Sequence, residues 1–221
     1  MRIGLFGGTF NPIHNGHLWA VLEVKSGFNL DQIYIIPAAV PPHKASGTVT
    51  SADDRLQMIH LAIAGLSGIT VADVELKRPG PSYTIDTVRH FKHKLKKGSR
   101  IFLIMGLDAF LEIHTWKSYK ELLEQIAFIV IARPTPNYAE AQQGRKILEN
   151  YFKSRLSANY KLSAGNDCYT AQGKQPIYFS DVKALDISST VVREKIREKK
   201  TIENWVPRPV AEYIKLKGLY K

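Results

Sequence analysis

The sequence predicts a single α/β domain, a parallel sheet with helices on both faces. Three observations carry that reading. Short apolar runs alternate with helix-period stretches along the chain, the pattern of repeated βα units. Two of the runs, Ile3 to Phe6 and Arg100 to Met105, end abruptly at glycine, where a strand hands over to a tight turn. The chain has 221 residues, 44% of them hydrophobic and 23% charged, which is ordinary globular composition with enough length for one full core.

The elements follow in order. The run from Ile3 to Phe6 is a buried strand that stops at Gly7-Gly8, and Asn11-Pro12 turns the chain into an amphipathic helix carrying Leu18, Val21, Leu22 and Val24. Gln32 to Ile36 is a second strand closed by Pro37, and Ala38 to Gly47 is a loop punctuated by proline and glycine, a fair position for a lid. Asp53 and Asp54 open a helix that ends near Gly65, and a strand from Ile69 to Leu76 follows, with a break expected near Asp73. After the turn Pro79-Gly80-Pro81 comes a helix from Tyr83 to Leu95, with Ser82 placed to cap it. Arg100 to Gly106 is the next strand, and short helices surround Trp116. Ile126 to Ala132 is the most hydrophobic strand, stopped by Arg133-Pro134. Thr135 to Gln175 is the least legible part. It offers a helix from Ala139 to Phe152 and then polar residues, and reads as surface elaboration or a flap without a core of its own. Ile177 to Phe179 is a last strand, and helices at Ser188 to Glu198 and Pro209 to Leu216 follow.

Composition excludes several classes. The longest apolar run, Ile126 to Ala132, is too short to span a bilayer, so no membrane role is expected. The first residues carry no secretory pattern, because their apolar run ends at once in glycine. The single cysteine, Cys168, forms no internal disulfide, and no Cys/His cluster has zinc-ligand spacing; the cytoplasm is the expected compartment. The net charge of +11 suits either nucleic acid or small anionic substrates. The lysines are scattered over helix faces such as Lys92 to Lys97, which are usually solvated, so nucleic acid is not the expected partner. The subunit count stays open, and a homo-oligomer paired through an exposed C-terminal helix is allowed.

Chemistry concentrates at the first strand's end. A glycine turn leading from a strand into a helix start favours a phosphate, through backbone N–H groups and the helix dipole. His14 and His17 stand there and can donate further hydrogen bonds to phosphate oxygens. The paired glycines Gly7 and Gly8 allow backbone angles and close approaches that a Cβ would block. Taken as a unit, Gly7-Gly8-Thr9-Phe10-Asn11-Pro12-Ile13-His14-Asn15-Gly16-His17 resembles the nucleotidyltransferase signature GTFDPxHxGH, with Asn11 in place of the usual Asp. The resemblance implies a Rossmann-like fold in which both histidines face the nucleotide phosphates. A second stretch, Asp186-Ile187-Ser188-Ser189-Thr190-Val191-Val192-Arg193, puts hydroxyls at a helix start with an arginine one turn on. By itself it reads equally as a plain cap with a solvent-facing arginine, but it resembles the second family signature, ISSTxxR, at the expected place.

Further stretches narrow the resemblance. Pro41-Pro42-His43-Lys44, Pro81-Ser82-Tyr83-Thr84-Ile85-Asp86-Thr87, Met105-Gly106-Leu107-Asp108, Trp116 and Arg133-Pro134 together resemble the bacterial nicotinate mononucleotide adenylyltransferases over nearly the whole chain. On that resemblance ATP meets Gly7, Gly8, Thr9, Phe10, His14 and His17, together with Gly106, Asp108, Ile187, Ser188, Ser189 and Arg193. Nicotinate mononucleotide meets Thr9, Asp108, Tyr83 and Thr84, the pyridine ring stacking on Trp116 and the phosphate meeting Lys44 and Arg133. His14, His17 and Arg193 are the catalytic set. Magnesium is expected with ATP and pyrophosphate. No acidic residue stands out near Tyr83-Thr84, which favours the acid mononucleotide over its amide. Phosphopantetheine as acceptor, a catalytically silent nucleotide-binding regulator and an RNA-binding protein are the other readings; they are separated by pyrophosphate release and by the salt dependence that RNA binding would show.

Overall fold

The structure is a computed structural model, and it describes residues 1–39, 49–132, 138–156, 159–165, 168–180 and 187–221. The chain opens with β1 (Arg2–Gly8), α1 (Asn15–Gly27), β2 (Gln32–Pro37), α2 (Ala52–Ile63) and β3 (Ile69–Val71). It continues through α3 (Thr84–Lys94), β4 (Arg100–Gly106), α4 (Leu107–Leu111), a 3-10 turn at Ile113–Thr115, α5 (Tyr119–Gln125) and β5 (Ala127–Ile131). Then come α6 (Tyr138–Tyr151), a π-helical turn at Phe152–Leu156, and the strands β6 (Lys161–Leu162), β7 (Cys168–Thr170) and β8 (Ile177–Ser180). The last helices are α7 (Ser189–Arg197) and α8 (Arg208–Lys217).

All eight strands join one sheet in the order β3-β2-β1-β4-β5-β8-β7-β6. From β3 to β8 the pairs are parallel, and β7 and β6 add an antiparallel edge. The strands alternate side chains between two cores, as a sheet buried on both faces must. Phe6, Ile33, Ile35, Ile104 and Ile129 face one core, closed by α1, α2, α7 and α8 through residues such as Val21, Ile59, Val192 and Val210. Leu5, Leu103, Met105, Phe128 and Val130 face the other, closed by α3 to α6 through Val88, Phe110, Leu122 and Leu148. Among the described residues no helix is long and apolar enough to cross a membrane.

Four sequence expectations change. The strand expected from Ile69 to Leu76 ends at Val71, because the chain curls into a turn in which the Lys77 N–H donates to the Asp73 carbonyl at 3.1 Å. Ser82 does not cap α3. Tyr83 takes the N-cap position without a side-chain bond, and the Ser82 hydroxyl accepts the Ala39 N–H at 2.9 Å. Gly7 and Gly8 lie inside β1, paired with Ile36 and Pro37, and neither has positive φ. Finally, the described part of the 135–175 stretch is more than surface elaboration. Leu148, Tyr151, Phe152, Tyr160 and Tyr169 enter the second core, and the rings of Phe152 and Tyr160 stack with centroids 4.7 Å apart.

Candidate active site

The strand order reverses between β1 and β4, since β2 and β3 build outward on one side and β5 and β8 on the other. Open α/β sheets bind ligands at such a switch point, beyond the carboxyl ends of the strands. Phe6 pairs with Ile104, so Gly8 and Gly106 end side by side. A cavity of about 320 Å³ opens there, bordered by Gly7, Gly8, Thr9, Tyr83, Thr84, Gly106 and Trp116. A Cβ on Gly7 would meet nothing within 4 Å, so glycine here keeps the cavity open. At Gly8 the added carbon would lie 2.8 Å from the Phe10 ring, and this close approach is what requires the second glycine. The exposed Asp108 folds back toward Gly106, whose own Cβ would collide with the carboxylate.

Beside the cavity, the chain from Thr9 to His14 forms a second unit. Phe10 has φ 50 and the Asn11–Pro12 peptide is cis. His14 is the N-cap of α1, and a reciprocal pair of bonds closes the cap. The His14 N–H donates to His17 Nδ1 and the His17 N–H donates to His14 Nδ1, each at 3.3 Å. The two rings stack with centroids 3.5 Å apart and planes 20° apart. Both Nδ1 atoms therefore accept, which puts the proton of each neutral ring on Nε2. Burial lowers His14 to a pKa of about 4, because a desolvated imidazolium is disfavoured. His14 thus remains a neutral Nε2–H donor at physiological pH.

The second motif packs onto this turn. The Ser189 hydroxyl donates to the Pro12 carbonyl at 2.9 Å, and Arg193 Nη1 donates to the Asn11 carbonyl at 2.8 Å. Ser188 caps α7 by accepting the Val191 N–H at 3.2 Å, and Ile187 packs on the first core. Both serine hydroxyls are thus engaged by protein groups, and the anion-binding capacity of α7 lies in its backbone N–H groups and in Arg193. Lys44 and Arg133 lie outside the described residues.

Sequence reasoning missed four neighbours. Arg55 is 1% exposed; its guanidinium donates to the carbonyls of Thr50, Thr9 and Ala38 at 2.8 to 3.0 Å. In sequence it is merely a charged residue in the first turn of a helix. Glu75, 8% exposed, borders the cavity and accepts the Thr87 hydroxyl at 2.6 Å. An acid therefore does stand near Tyr83-Thr84, contrary to the sequence expectation; in sequence Glu75 falls inside a stretch that reads as strand. Lys117 also borders the cavity, its ammonium 4.3 Å from the centroid of the Tyr83 ring. Tyr220 reaches Asn11 from beyond α8.

Residues 5–195 match the cytidylyltransferase-like family model. A protein of Desulfatibacillum aliphaticivorans named "Probable nicotinate-nucleotide adenylyltransferase" is 40% identical over 225 residues, covering 100% of both chains. One of the same name from Thermus thermophilus is 36% identical, again over 100% of each. The chain belongs to the nicotinate-nucleotide adenylyltransferase family. Its fold matches a Plasmodium falciparum nicotinic acid mononucleotide adenylyltransferase complexed with NaAD, at TM-score 0.71 and 20% identity over 99% of this chain and 97% of that one. Within the nicotinate-nucleotide adenylyltransferase frame, the structure brings Gly7, Gly8, Thr9, Tyr83, Thr84, Gly106 and Trp116 to one cavity. It brings His14, His17, Ser189 and Arg193 to the adjoining turn.

Proposed function

We infer that this chain transfers the adenylyl group of ATP to nicotinate mononucleotide, giving deamido-NAD and pyrophosphate. The observation that carries the reading is the stacked pair of imidazoles, both held as Nε2–H donors, next to a largely apolar cavity at the switch point of the sheet. A phosphate monoester is largely dianionic at neutral pH, so it needs no general base. Its oxygen attacks the α-phosphorus of ATP, the bond from that phosphorus to the bridging oxygen breaks, and pyrophosphate leaves with the electron pair. Catalysis is then positioning and charge stabilisation. His14 and His17 would donate to the α- and β-phosphate oxygens, and Arg193 with the start of α7 would hold the departing pyrophosphate. Trp116 offers a stacking surface for the pyridine ring, and the start of α3 at Thr84 lies where the nicotinate carboxylate would meet helix N–H groups.

Magnesium would accompany ATP and pyrophosphate, bound mainly by their own oxygens. Among the described residues no three His, Cys, Asp or Glu side chains gather into a cation site. Chelation should stop the reaction and added magnesium restore it.

Glu75 favours a second reading, the amide mononucleotide as acceptor, because a carboxylate bordering the cavity is less hostile to a neutral amide. Pyrophosphate release from ATP with either mononucleotide, run in parallel, tests both. Preference for the acid supports the first reading, equal use removes the specificity argument, and silence with both would overturn the assignment.

A further inference from the structure

Asn11 is 3% exposed and lies between the two phosphate motifs. Its carbonyl accepts Arg193 Nη1 at 2.8 Å. Its side-chain Oδ1 accepts the Thr50 N–H at 3.1 Å and the Tyr220 hydroxyl at 2.9 Å. Thr50 and Tyr220 are remote in sequence from each other and from Asn11, so two independent segments converge on one oxygen. The chain takes on strain to do so: Tyr220 has φ 66, a left-handed conformation costing a non-glycine residue about 1 kcal/mol. Burial also pushes the phenol up to about 12, which keeps it protonated and therefore a donor.

The segment around α8 has other anchors. The Tyr213 hydroxyl donates to Asp54 at 2.8 Å, and the Asn15 N–H donates to the Trp205 carbonyl at 2.8 Å. With Val210 and Ile214 buried in the first core, they dock α8 independently of Tyr220. Tyr220 is different because it grips the residue whose carbonyl aims Arg193. We propose that Tyr220 is a positioning residue for adenylyl transfer, fixing the Asn11 side chain and, through the Asn11 carbonyl, the direction of the Arg193 guanidinium. The proposal rests on the adenylyl-transfer reading above.

The test compares kcat, both KM values and thermal midpoint for the wild type, Tyr220→Phe, Tyr213→Phe, Arg193→Lys and the Tyr220→Phe/Arg193→Lys double variant. Phenylalanine keeps the ring, so the fold is retained and one hydroxyl is lost. Tyr220→Phe should lower kcat about tenfold, the equivalent of one hydrogen bond in the transition state, with both KM values within about twofold. Tyr220→Phe and Tyr213→Phe should each lower the midpoint by about 2–4 °C, but Tyr213→Phe should leave kcat within about twofold. In the Arg193→Lys background the tenfold loss should shrink to less than about twofold, because the two residues act through the same residue, Asn11. Unchanged kcat, a kcat loss matched by Tyr213→Phe, or full additivity with Arg193→Lys would each overturn the proposal while leaving the reaction intact. A wild type silent with both mononucleotides would overturn the underlying reading and the proposal with it.

Discussion

The turn from Thr9 to His14 and the cavity bordered by Tyr83 and Trp116 adjoin at the same end of the sheet, but they are held by different forces. Directional bonds fix the turn: Arg55 on the Thr9 carbonyl, Thr50 and Tyr220 on the Asn11 side chain, Arg193 on its carbonyl and Ser189 on that of Pro12. The cavity is walled mainly by packed apolar groups such as Leu5, Ile36, Val88 and Leu103, with the Glu75–Thr87 bond as a polar exception. Phosphoryl transfer depends on donors aimed within fractions of an ångström, whereas a flat ring is recognised by shape and a few polar groups. The protein spends its buried hydrogen bonds where angle matters.

That contrast can be broken by substitution. The largest effect is expected on the turn side, where His17→Ala should lower kcat about 10³-fold and leave the KM for nicotinate mononucleotide within a few-fold. Equal small effects on both constants would remove His17 from its role. Arg55→Ala strips three carbonyls of their donor and should cost about 4 kcal/mol in urea unfolding; a cost below about 1 kcal/mol would show that the clamp is redundant.

Acid should also act on the turn. The folded pKa of His14, about 4, lies below the ordinary imidazole value of 6.5, so between these values the unfolded chain binds the proton and the folded one does not. Stability is therefore full above 6.5 and falls as pH drops toward 4, by about 3 kcal/mol in total. His14→Asn should flatten that part of the curve, measured by unfolding at several pH values. The smallest effect belongs to the cavity. Glu75→Gln keeps the Thr87 partner and removes a charge, and should improve use of the acid mononucleotide over the amide about fivefold, worth about 1 kcal/mol. An unchanged ratio would mean that the cavity does not sense the charge.

The sequence displayed the sheet's parallel part well, because strands such as Phe128 to Ile131 are buried on both faces and read as unbroken apolar runs. It could not display β6 and β7, which have two and three residues and are too short for any periodic signal. The site divides in the same way. His14, His17 and Arg193 are legible because their spacing is local. Arg55, Glu75 and Tyr220 are illegible because their roles arise from contacts made across the fold: a buried arginine bonded to carbonyls looks in sequence like any helix charge. Ser82 and Ser188 show the reverse, since each suggests a cap and the cap forms only at Ser188.

The sheet's two borders carry a consequence for solubility. One side ends in the three residues Ile69–Val71, of which Thr70 is exposed, and the other in the exposed pair Lys161–Leu162. A border strand with unpaired main-chain groups is a template for another chain, and shortness together with a lysine is how proteins blunt it. Lengthening either border with β-branched residues would make it a template for self-association, with no change at the site of chemistry.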